Sequence, residues 1–160
     1  MSRARTPVDA GYTMIEMIVT IALAGTLMAI AVSGWQGWAR ASEQEGLVTE
    51  LRGVLRQAQQ RAVTTGASTC VLFSAAEDTW TVYRGRCDSP GKVRTEGPVA
   101  AGDDLDLVAP AFQHGESTYL PGVSFAPRGT ATAGDVRVTR EGGPTVTVSV
   151  EGLTGRVSSS

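Results

Sequence analysis

Apolar positions along the chain fall into three regimes. From Tyr12 to Ser33 they are nearly continuous (YTMIEMIVTIALAGTLMAIAVS), and after Glu16 no charge occurs until Arg40. A helix of about 22 residues at ~1.5 Å per residue reaches across a hydrocarbon layer of ~30 Å. From Arg40 to Ala62 the apolar residues Leu47, Val48, Leu51, Val54, Leu55, Ala58, Ala62 and Val63 recur at steps of three and four. Glu43, Glu45, Glu50, Arg52, Arg56 and Arg61 lie between them. That spacing predicts an amphipathic helix with one stripe to pack and one face to wet. No proline occurs between residues 8 and 89, so one helix can run from Tyr12 to about Thr65, with Gly66 as its terminator.

Past Gly66 the period drops to two. Residues 68–74 (STCVLFS) and 79–84 (TWTVYR) flank Ala75-Ala76-Glu77-Asp78 and predict a hairpin. Residues 88–104, with Pro90, Gly91, Gly97, Pro98 and Gly102, read as a loop. Further strands are expected at 105–109, 123–126, 135–140 and 145–151, the last alternating Val146, Val148 and Val150 with Thr145, Thr147 and Ser149. The fold class is therefore α+β: a long N-terminal helix whose second half packs on a C-terminal antiparallel β-sheet. The segments divide as 1–11, a short polar leader; 12–33, a membrane-spanning helix; 34–66, its amphipathic continuation; and 67–160, a β-rich globular domain.

Composition narrows the function classes. The formal net charge is −2, and removing residues 1–33 leaves 12 basic and 14 acidic groups, again −2. Such a balanced domain lacks the basic face of an ordinary nucleic-acid binder. Arg3 and Arg5 precede the apolar segment, which by the positive-inside rule keeps that end cytoplasmic and sends the rest across. Trp35 and Trp38 fall where the span would meet the outer interface, a usual aromatic-belt position, while Trp80 belongs to the core or the hairpin surface. Cys70 and Cys87 have 16 residues between them and no neighbouring histidines or CxxC spacing. In an exported domain a disulfide is the economical reading, and two buried thiols are the alternative.

Little in the sequence carries catalytic chemistry. His114 is the only histidine, which argues against a zinc site, and Asp103, Asp104 and Asp106 read as a solvated acidic loop. Phosphate-binding and nucleophile-elbow motifs are missing. No enzyme activity and no cofactor or metal is expected. The one unusual group is Glu16, a carboxylate near the front of a span where an unpaired charge costs a few kcal/mol.

The stretch G-Y-T-M-I-E-M-I-V-T-I-A-L-A-G from Gly11 resembles the N-terminal signature of type IV pilins and pseudopilins. Residues 51–66 (LRGVLRQAQQRAVTTG), 123–129 (VSFAPRG) and 148–157 (VSVEGLTGRV) resemble, in family order, the GspH/FimT group of minor pilins. The resemblance implies that a prepilin peptidase cuts after Gly11 and that the new amino terminus, Tyr12, is N-methylated. Glu16 would neutralise the amino terminus of a neighbouring subunit, with Met14, Ile15, Met17 and Ile18 packing beside it in the filament core. The partners implied are other pilin or pseudopilin subunits, the peptidase and an inner-membrane assembly platform. The protein would be a single-pass inner-membrane subunit, its β domain outside the cytoplasm, drawn into a type II secretion pseudopilus or a type IV pilus at or near the tip.

Two departures from the family pattern matter. Ser33-Gly34 stand where many members have proline, so any kink there rests on glycine. Some FimT-type pilins use G-R-x-R to bind DNA, and this chain reads Gly155-Arg156-Val157-Ser158, without the second arginine. A DNA-binding alternative would draw on Arg128, Arg137, Arg140 and Arg156 as a small basic patch at one end of the sheet, a weak case beside Asp135, Glu141 and Glu151. A second alternative is a conventionally secreted β domain cut after Ala31 in Ala29-Ile30-Ala31.

Overall fold

The computed structural model describes residues 13–160, apart from the side chains of residues 33, 34 and 36–40. The leader, Gly11 and Tyr12 lie outside the described residues, as does the side chain of Trp38. The helix expected from the apolar and amphipathic patterns is α1 (Met14–Thr65), which includes Ser33 and Gly34. The chain divides into two compact units, 1–40 and 41–160.

Within the first unit, Met14–Val32 is long and apolar enough to cross a membrane, and none of its residues is buried in the protein. The hydroxyls of Thr20 and Thr26 bond back to the carbonyls of Met17 and Leu23 at 2.9 and 2.8 Å, so neither needs another partner. Internal satisfaction of this kind is what a span in hydrocarbon requires.

In the second unit the helix presents Leu47, Val48, Leu51, Leu55, Ala58 and Ala62 to the core, while Val63 stays exposed. Thr64 and Thr65 cap the last turn by bonding to the carbonyls of Gln60 and Arg61. Gly66 then takes φ +65°, the left-handed turn that favours glycine.

Nine strands follow: β1 (Thr69–Ser74), β2 (Thr79–Arg84), β3 (Val93–Ala100), β4 (Leu105–Gln113), β5 (Tyr119–Leu120), β6 (Gly122–Phe125), β7 (Gly134–Arg140), β8 (Val146–Val150) and β9 (Val157–Ser159). They form two antiparallel sheets rather than the single sheet expected, ordered β3-β2-β1-β6 and β5-β4-β7-β8-β9. Phe73, Trp80, Val82, Val123 and Phe125 of one sheet and Leu107, Phe112, Val136, Val138, Val148 and Val150 of the other share one core with α1. Phe73 and Phe112 stack across the two sheets, with ring centroids 5.8 Å apart.

The stretch read as a loop, 88–104, is corrected by β3, which pairs along β2 with an irregular register between Trp80 and Tyr83. The irregularity accommodates Gly97-Pro98, the residues that argued for a loop. Strand β3 lies at a sheet edge, where proline is tolerated, and nearly all of it is exposed, so no apolar alternation marks it. Strands β5 and β9, of two and three residues, were too short to leave a pattern.

Candidate assembly site

Glu16 sits at the third position of α1, and the cause is local. Thr13 precedes the first helical residue, and its Oγ1 accepts the Glu16 amide N–H at 3.3 Å. A threonine followed three residues later by glutamate is the spacing of a capping box. T-M-I-E carries that signal in the sequence, where the apolar surroundings had drawn attention to the charge alone. The cap is made by the glutamate's backbone, so its carboxylate remains at the surface. Among the described residues no cation lies within ion-pair distance of it. Around it Met14, Ile15, Met17 and Ile18 are all exposed, Met14 by 86%. The described residues of the first unit leave this carboxylate and the apolar side chains around it exposed.

In the second unit Cys70 and Cys87 are joined by a disulfide. The bridge ties β1 to the segment after β2, beneath β6, where the Cys87 amide N–H donates to Ser124 Oγ at 2.8 Å. Arg86 and Asp88 flank the bridge as an exposed pair at 2.9 Å. The hydrogen bond from Arg86 holds the Asp88 carboxyl below the ordinary carboxylate range, and the same bond raises the guanidinium of Arg86. His114, just after β4, bonds through Nε2 to the carbonyl of Gly122 at 2.6 Å, a structural contact that ties this turn to β6.

The four arginines of the DNA-binding alternative are not brought together in one patch. Gly134 at the start of β7 pairs with Val150, which pairs with Val157 beside Arg156. Arg140 lies six residues further along β7, roughly 20 Å away at ~3.3 Å per residue. Arg137 is engaged with Asp135 at 3.8 Å. Only Arg128 and Arg156 share a locality, because Gln59 of α1 donates to the carbonyls of Gly129 and Thr154 at 2.8 and 2.9 Å and so pins both turns to the helix.

Arg156 instead joins two arginines that the sequence reading left on a wetted helix face. Arg52, Arg56 and Gln59 of α1 line a concavity of about 310 Å³ with Arg156, Ser158 and Ser159. Arg52 reaches Ser159 Oγ at 3.4 Å. None of the three arginines has a carboxylate partner among the described residues. Arg52 and Arg56 were visible only as an i, i+4 pair of like charge, and what recruits Arg156 to them is the register of β9.

Gln44 was also missed. It is buried, and its amide donates to the carbonyls of Val138 at 3.2 Å and Pro144 at 2.8 Å, fastening the start of the amphipathic stretch to β7 and the β7–β8 turn. A glutamine at one of the core-facing turns of an otherwise apolar stripe was the available signal.

Comparison with known proteins bears on both units. Residues 47–154 match the family described as type II transport protein GspH, and residues 8–32 match the prokaryotic N-terminal methylation motif. Among solved structures, the minor pseudopilin EpsH from the type 2 secretion system of Vibrio cholerae is similar with a TM-score of 0.57 at 13% identity, over 73% of this chain and 94% of that one. GspH of E. coli gives a TM-score of 0.52 at 16% identity, over 74% and 88% of the two chains. The type IV minor pilin FimU of Pseudomonas aeruginosa gives 0.55 at 14% identity, over 76% and 90%. At these identities the likeness is one of fold. No curated protein matches the chain.

Proposed function

The chain belongs to the GspH family of type II transport proteins, and on that premise we propose that it works as a minor subunit of a secretion pseudopilus or type IV pilus. The family is one of structural pilin and pseudopilin subunits, which assemble with other such subunits and are anchored in a membrane. The observation that carries the reading is one chain matching the methylation motif over 8–32 and the GspH family over 47–154.

In this reading a prepilin peptidase cuts after Gly11 and methylates Tyr12. The helix from Met14 to Val32 holds the subunit in the inner membrane until an assembly platform passes it into the filament, with the β domain outside the cytoplasm. Glu16 would then lie four residues from the new amino terminus, about 6 Å along the helix. A carboxylate at this depth costs a few kcal/mol unpaired. The amino terminus of a neighbouring subunit offers the compensating charge, and pairing rewards correct axial register.

The test is the intact mass and first residue of the protein recovered from native membranes. A chain beginning at N-methylated Tyr12 supports the reading. A chain beginning at Val32 moves the protein to the secreted class, and an intact Met1 removes processing from the account. Glu16→Ala should insert and be cleaved normally while failing to enter filaments; normal incorporation would end the pairing mechanism.

A further inference from the structure

Cys70 alternates along β1 with Val71 and Phe73, which face the shared core, so the Cys70–Cys87 bridge lies on the opposite face of its sheet. It is nevertheless enclosed: Cys70 is 0% exposed and Cys87 5%. Much of the enclosure comes from β6, which follows both cysteines in the chain. Cys70 pairs with Ser124, whose hydroxyl oxygen accepts the Cys87 amide N–H at 2.8 Å. The Sγ of Cys87 lies 3.3 Å from the carbonyl oxygen of Val123. A Cβ built on Gly122 would stand 2.9 Å from that sulfur, so not even a methyl group fits between them. His114, from the turn after β4, holds Gly122 in place through its carbonyl. The two cysteines themselves need none of this to meet. The hairpin of β1 and β2 sets Cys70 opposite Tyr83, and Cys87 follows four residues later.

Thiol–disulfide exchange passes through a mixed disulfide, so an attacking sulfur must reach the sulfur it attacks. With β6 in place, backbone atoms fill the space beside Cys87 Sγ, and Cys70 has no surface to offer. We propose that the bridge is made on the exported chain before β6 pairs with β1, by exchange with a disulfide-bearing donor, and that the pairing then seals it against oxidant and reductant alike. One cysteine thiolate attacks the donor disulfide, forming a mixed disulfide and releasing one donor thiolate. The other cysteine thiolate attacks the chain's sulfur in that mixed disulfide, forming the Cys70–Cys87 bond and releasing the second donor thiolate. Two chain thiols are oxidised, the donor disulfide is reduced to two thiols, and the two protons pass to the donor's sulfurs. The order follows from topology as well: the β1–β2 contact is local, whereas β6 must close a loop of about fifty residues onto β1. Dithiol oxidation thus stands ahead of domain closure, and with it ahead of entry into a filament. The inference rests on the filament-subunit reading for the placement of the β domain outside the cytoplasm, where such donors act.

The accessibility of the bridge in the full chain tests it, with free thiols counted by the gel shift of a bulky maleimide. In detergent, dithiothreitol should reduce the folded chain at least about a hundredfold more slowly than the chain in urea, because reduction waits on opening of β6. Reduction at similar rates in the two states overturns the proposal. The reverse direction uses chain reduced in urea and refolded without oxidant until the emission of Trp80 recovers. Oxidised glutathione added then should form the bridge at least about tenfold more slowly than glutathione present from the start of refolding. Equal rates overturn the proposal, whereas a chain whose Trp80 emission never recovers without the bridge supports it, since oxidation then precedes folding. In cells, dithiothreitol added before synthesis should leave the chain reduced, and the same reagent added after a chase should leave the bridge intact. Loss of the bridge in the chased cells overturns the proposal alone. A chain found reduced in untreated cells overturns it together with the placement of the β domain outside the cytoplasm. The first residue of the same samples reports separately on processing after Gly11.

Discussion

Replacing Gly155 with alanine should unlock the C-terminal turn from the helix. Gly155 has φ +63°, and a Cβ built there collides with the Gln59 amide and with the carbonyl of Gly129. The left-handed conformation costs a non-glycine residue about 1–2 kcal/mol. Displacing the Gln59 amide also removes its bonds to Gly129 and Thr154, each contributing about 1 kcal/mol net. The expected loss is therefore about 3–4 kcal/mol, a large share of the stability of a domain this size. Gln59→Ala removes the same two bonds without the backbone strain and should cost about 2 kcal/mol. In the double variant the bonds are counted once, so the combined loss should fall short of the sum by about 2 kcal/mol. Urea unfolding of the full chain in detergent, followed by emission of the buried Trp80, reads all three variants. A Gly155→Ala loss below about 1 kcal/mol, or strict additivity in the double variant, would refute this account of the turn.

Two further outcomes test the second unit. Replacing both Cys70 and Cys87 with serine should cost roughly 3 kcal/mol, the chain-entropy value for a loop of this length, read as a lower urea midpoint with a slope equal to or steeper than wild type, since the unfolded chain loses its cross-link. Gln44→Leu should cost about 1–3 kcal/mol by leaving the carbonyls of Val138 and Pro144 without their donor, and hydrogen exchange should quicken around the β7–β8 turn.

What could be read from the sequence was whatever one buried face imposes on a repeating backbone. The amphipathic stripe from Leu47 to Ala62 and the alternation in 79–84 exist because one side of each element meets the core, and both appear where expected. Strand β3 has no such side, so V-R-T-E-G-P-V-A showed only its glycine and proline. The number of sheets was hidden for another reason: alternation tells which face of a strand is buried but not which neighbour it pairs with. The same gap misassembled the arginines. Arg140 and Arg156 follow similar local patterns, yet the β7–β8–β9 register sets them at opposite ends of a sheet. Arg52 and Arg56 looked like a solvated face until β9 placed Arg156 beside them. Glu16 was legible because a charge within an apolar run is rare, and the Thr13 cap that fixes its position was written in the same four residues.

The exposed side chains of Met14–Val32 form a large apolar surface, yet they are a poor source of selectivity. Lipid tails are as apolar as the side chains themselves, so moving this helix from a bilayer into a helical bundle gains little hydrophobic free energy. What distinguishes the two environments is packing detail and any charge that finds a partner in one and not the other. Glu16 is the sole ionisable group of the segment, so it should carry most of the discrimination between lipid and filament. Volume-conserving changes such as Ile18→Leu or Leu23→Ile should therefore leave incorporation near wild type, each costing under about 1.5 kcal/mol. Glu16→Gln, of nearly the same size, should reduce incorporation as severely as Glu16→Ala. Quantifying each variant in sheared filaments against the membrane fraction decides the matter. If the glutamine variant assembles normally while the apolar swaps do not, shape rather than charge selects the subunit.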